Sequence, residues 1–175
     1  MRALPLLLAA TPALAEPEAP FHDAARITMS FGVYCEVETT DTLEAPDTAA
    51  GKIDLLPEVP EFIWDTQFVP AYPGMSFGVW TEAHDSLGIG NVTVILTHPP
   101  FRDSGVTRQT YVSSISGDGP SINAYTFDFA EELVTGIWTF ETVADGETLY
   151  RVSFEVVPAE ELPQIAGNCL GDLLS

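Results

Sequence analysis

The chain has 175 residues, 46% hydrophobic and 10% aromatic, with 26 Asp and Glu against 6 Lys and Arg, for a formal net charge of −20. That length suits one domain with one core. Nucleic acid and anionic lipid headgroups are excluded as partners, because both are held through Lys and Arg that neutralise phosphates. Such acidity suits a salty habitat, a cation or a basic partner.

Residues 1–15, MRALPLLLAATPALA, place Arg2 before an apolar run from Leu4 to Ala10 and end on Ala13 and Ala15. This is the pattern of a secretory signal peptide cleaved after Ala15. The run is well short of the roughly 20 residues that span a bilayer, and no later stretch approaches that length, so no membrane insertion is expected. Cleavage would remove Arg2, leaving 160 residues with a net charge of −21. The expected product is periplasmic or secreted, with residues 16–26 a flexible lead-in to a single domain over 27–175.

Strand patterning then dominates. ITMSFGVYCEV (27–37) alternates cleanly, with Ile27, Met29, Phe31, Val33 and Cys35 on one face and Thr28, Ser30, Gly32 and Tyr34 on the other. The acidic stretch 38–51, rich in Thr, Ala and Pro, reads as a long loop that is either flexible or functional. Further strands are expected at KIDLL, at 62–69, 75–83, 92–97, 108–116 and 124–129. The strongest local signal is GIWTFETV-ADGE-TLYRVSFEVV, a β-hairpin turning at Asp145-Gly146. Only 131–134 and 159–167 have helical character, and both are short. Many strands without a long crossover helix mean an all-β, antiparallel two-sheet sandwich of immunoglobulin-like type.

Cys35 and Cys169 are the two cysteines. In an oxidising compartment such a pair makes a disulfide. Closing so long a loop contributes about 4–5 kcal/mol in the chain-entropy model, and it would pin the tail against one end of the sandwich. No C-x-x-C supports a thiol oxidoreductase.

Chemistry has few places to reside. His22, His84 and His98 share no strand or helical turn, so a metal site would need them to converge in space. His98 ends VILTHPPF, where Pro99 and Pro100 cannot continue a hydrogen-bonded ladder. It reads first as a strand-terminating corner and second as a ligand. No G-x-S-x-G elbow is present. Asp128, between Phe127 and Phe129, opposes the aromatic phase and should face water or a cleft. A glycosidase would need a second carboxyl that nothing identifies. Asp118, and Asp145 with Glu147, lie in Asp-Gly turns that explain them without calcium.

Several segments in order, FGVYCEVE, APDTAAGKI, FIWDTQFVPAYPGMSFGV, VILTHPPF, GVTRQTY, YTFDFAEELVTGIWTFE and LYRVSFEVV, resemble a bacterial domain-of-unknown-function family (family 3859) of small exported proteins, over Ile27 to Val157. The resemblance implies an exported β-sandwich and carries no catalytic or binding residues over.

The expectation is thus an exported, non-enzymatic binding module without a cofactor. It would act through loops and an acidic surface on an envelope or secreted protein, or on a small ligand. His98 and Asp128 are the candidate ligand or partner surface. The alternatives are a metal- or small-ligand-handling protein using those two residues, and after it a hydrolase.

Overall fold

The computed structural model describes residues 17–170, so the expected signal peptide lies outside the described residues. Among the described residues there are eleven strands: β1 (Phe21–His22), β2 (Ile27–Cys35), β3 (Asp41–Glu44), β4 (Lys52–Leu55), β5 (Phe68–Ala71), β6 (Met75–Ala83), β7 (Ile89–Thr97), β8 (Arg108–Ile115), β9 (Ser121–Thr126), β10 (Gly136–Ala144) and β11 (Glu147–Pro158). One sheet runs β1-β11-β10-β7-β8, with β5 also on β11; the second is β2-β6-β9; β3 and β4 form a separate two-stranded ribbon. The result is an all-β sandwich. Every pairing is antiparallel except β5 on β11, which is parallel from Phe68 beside Glu155 to Ala71 beside Pro158.

The alternating sequence pattern explains the core. Phe77 on β6 reaches across to the opposite sheet, with ring centroids 5.5 Å from Trp138, 5.9 Å from Phe140 and 5.2 Å from Phe154. All four side chains are fully buried. The indole Nε1 of Trp138 donates to the Val134 carbonyl, so burying it strands no donor. The β10–β11 hairpin turns where expected, with Asp145 and Gly146 both at positive φ, as a type I′ bend requires.

Four expectations need correction. Stretch 38–51 is not a plain loop: residues 41–44 pair with 52–55, and Ala45 is buried. Deleting it would strip β4 of its partner. Within 62–69 only the end is strand, because Ile63 and Trp64 cross β2 instead, bonding the main chain of Val33. They close so tightly over Gly32 that a Cβ there would meet the Trp64 carbonyl. Segment 62–64 therefore covers the face of β2 that alternation left to solvent, and Tyr34 is buried. The strand expected at 124–129 runs instead from Ser121 to Thr126, so the phase breaks there: Phe127 is in the core while Phe129 is 60% exposed. Finally, the lead-in at 17–26 includes β1, paired with Tyr150 and Arg151.

Cys35 and Cys169 form the disulfide, their Cα atoms 5.2 Å apart and within bridging range. It fastens the C-terminal turns, where Ile165 and Ala166 are buried, to the end of β2. Replacing both cysteines by serine should cost about 3–5 kcal/mol in chemical denaturation, as should reducing the native protein. An unchanged midpoint would mean that packing alone holds the tail.

Candidate functional site

Three strands face a longer sheet, and the mismatch leaves an opening beside β8 and β9. A cavity of about 890 Å³ occupies it. Its inner wall comes from Leu96, Gln109, Tyr111 and Phe140 of the larger sheet, its floor runs along β9 into Phe127–Phe129, and β4 with residues 56–59 forms the roof.

Tyr111 donates to Asn123, and Asn123 donates to the buried Tyr150 hydroxyl at 2.9 Å, so hydrogen bonds tie the sheets together behind the opening. Burial pushes the Tyr150 hydroxyl up to about 12, and desolvation pushes those of Tyr111 and Tyr125 well above the usual phenol range. All three are neutral hydrogen-bonding groups at physiological pH.

The mouth is acidic. Glu36, Asp54, Glu58, Asp128 and Glu132 line the cavity against one cation, Lys52, whose Nζ already sits 2.7 Å from Asp54. Glu132 is buried, and its Oε2 accepts the main-chain N–H groups of Asp128 and Phe129, fixing the chain where β9 ends. Asp128 is exposed at the mouth, as expected, although it lies beyond the end of β9, where strand phase no longer applies. Enough protein still surrounds its carboxyl that burial, followed by the charges of Glu132, Glu36 and Asp54, raises its pKa to about 6. Three neighbouring carboxylates thus add to the effect of burial, and Lys52 opposes them.

His98 does not line the cavity. It is 6% exposed and stacked between Phe101 and Trp138, with centroids 4.1 and 4.5 Å away. That corrects its expected place on a ligand or partner surface, and it is not brought together with Asp128. Its Nδ1–H donates to the Pro99 carbonyl, and its Nε2 accepts from the Gln109 side chain. Burial lowers its pKa, which keeps the ring neutral. Gln109 Oε1 in turn accepts the N–H of Ala49, in the bend of the β3–β4 ribbon. The histidine corner therefore anchors the roof through one glutamine. No sequence signal marked Gln109, because nothing local ties residue 109 to residue 49. Among the described residues no three His, Cys, Asp or Glu side chains gather as a metal-holding group.

The model of the family described as "Domain of unknown function (DUF3859)" matches residues 24–156. The chain belongs to the DUF3859 family. No curated protein matches it. Among solved structures, an immunoglobulin-like protein from Pseudomonas aeruginosa is similar over 83% of this chain and 100% of its own, at 20% identity and a TM-score of 0.53. At that identity the likeness bears on the fold, and it places this DUF3859 chain among immunoglobulin-like sandwiches.

The Asp128 shift has a testable consequence. A carboxyl whose folded pKa lies above its unfolded value, near 3.9, lends stability that is fully present below about pH 4 and lost as pH rises through about 6. Asp128→Asn should melt higher than the native protein at pH 7, with the difference vanishing near pH 4. His98, depressed rather than raised, acts in the opposite sense but equally in both proteins, so it cancels from the difference. A difference independent of pH would show that the Asp128 carboxyl is not crowded.

Proposed function

We propose that this protein is a non-enzymatic binding module, exported to the periplasm or beyond, that takes a positively charged ligand in the cleft between its sheets. One observation carries the reading: a cavity of about 890 Å³, within the roughly 300–1,000 Å³ typical of ligand sites, whose mouth sets five carboxylates against one lysine that is already paired. An entering cation would offset the burial and, after it, the neighbouring negative charges that raise Asp128, so complementarity favours that charge.

Export is supported by the leader-like N-terminus and by the Cys35–Cys169 disulfide, which suits an oxidising compartment. Binding is favoured over catalysis by the state of the polar groups: the tyrosines at the cleft stay protonated, and both ring nitrogens of His98 are engaged in anchoring. A metal reading would pair His98 with Asp128, but His98 is buried outside the cavity that Asp128 lines.

The test is an NMR titration with spermidine as a cationic probe and succinate as its anionic counterpart, at low ionic strength. Spermidine should perturb the amides of Tyr125 to Glu132, and the effect should weaken several-fold on lowering the pH below about 6, where Asp128 protonates. Asp128→Asn should weaken it likewise. Equal responses to both probes, or perturbations elsewhere on the acidic surface, would count against the cleft as the site.

A further inference from the structure

Resting on this cleft reading, we infer that the natural ligand is an extended peptide segment bearing lysine or arginine, which enters as an added strand on the free edge of β9. A strand that meets a cavity with one face contributes alternate residues to it. Here the cavity touches every residue from Ile122 to Phe129, in both side-chain phases. The cavity therefore runs along the edge of β9 and not merely beneath it.

That edge is available. Among the described residues β9 pairs with β6 alone. The Phe127 N–H donates to the Met75 carbonyl, which places Tyr125 and Asn123 in the same hydrogen-bonded phase against β6. Ile122, Ala124 and Thr126 then direct their N–H and C=O groups into the cleft. Across it, β4 pairs with β3 alone, and every residue from Lys52 to Val59 borders the same space. A guest strand would lie between two open edges. The six residues of β9 extend about 20 Å, room for a guest of similar length.

The outer edges of β8 and β2 are occupied in ways that of β9 is not. Strand β8 begins with Arg108, and its Thr110 N–H is taken by the Asp47 carbonyl; β2 is covered by Trp64. Between Ser121 and Thr126 there is no lysine, arginine or proline, the usual devices against edge-to-edge pairing. Main-chain bonds would supply affinity in such a complex, and side-chain pockets specificity. The inner wall of Leu96 and Phe140 suits an apolar side chain, and Asp128, Glu36 and Asp54 suit a basic one.

The experiment uses the full chain and an alternating valine–lysine hexapeptide with capped ends. Its controls are the valine–glutamate counterpart, a version N-methylated at alternate amides, and spermidine. The lysine peptide should bind and protect the amides of Ile122, Ala124 and Thr126 from exchange. N-methylation or charge reversal should each weaken binding by about tenfold or more, some 1.4 kcal/mol. Asp128→Asn, checked for folding by its melt, should weaken the lysine peptide and leave the amide protection pattern of the bound state unchanged. If the N-methylated peptide binds as well as its parent, or those three amides stay unprotected, strand addition is overturned. Should spermidine then still occupy the cleft, the cationic-ligand reading survives without it; if neither probe enters, both fall.

Discussion

The packing of Phe77 against Trp138, Phe140 and Phe154 is the interaction on which the rest of the structure depends. It clamps β6, the middle strand of the small sheet, onto β10 and β11 of the large one. The small sheet therefore has one strand to spare on either side of the clamp. On one side β2 is secured by the disulfide and by segment 62–64. On the other, β9 stands over a gap bridged behind by the hydrogen bonds of Tyr111, Asn123 and Tyr150 and by Tyr125 packed against Trp138. The cleft is what remains when a three-stranded sheet is centred on a wider one.

The β3–β4 ribbon turns that gap into a roofed site, and the histidine corner holds the ribbon in place. Pro99, His98, Gln109 and Ala49 form a chain of hydrogen bonds in which each polar atom has a partner. Stacking between Phe101 and Trp138 fixes the ring that the chain passes through. A buried, neutral, fully bonded imidazole of this kind is a structural element. Its effect on binding would run through the position of the roof.

Much of the fold was legible because period-two alternation survives burial: β6 matches its expected span, and Asp145-Gly146 fixes the final hairpin. The disulfide was legible because two cysteines in a chain expected to be exported leave one pairing. What escaped was long-range. Nothing in ETTDTLEAPDTAAG announces that residues 41–44 pair with 52–55, since β3 is exposed on both faces and shows no hydrophobic phase. Asp128 was singled out from a strand phase that ends at Thr126, yet it does line the cleft. Its companions Glu36, Asp54 and Glu132 were invisible among 26 acidic residues, because only the fold decides which of them converge. His98 was rightly read as a corner; its burial between two aromatic rings, one of them forty residues on, was beyond any local pattern.

The central claim is that β9 presents an unpaired edge to a cleft built to receive one more strand. Residue-by-residue amide hydrogen exchange on the ligand-free protein tests it most directly. If the account is right, exchange alternates along β9: Asn123 and Tyr125, bonded to β6, are protected to the level of the core, while Ile122, Ala124 and Thr126 exchange rapidly. Uniform protection from Ser121 to Thr126 would mean that the edge is already satisfied within the folded chain, and the account of the cleft would be wrong.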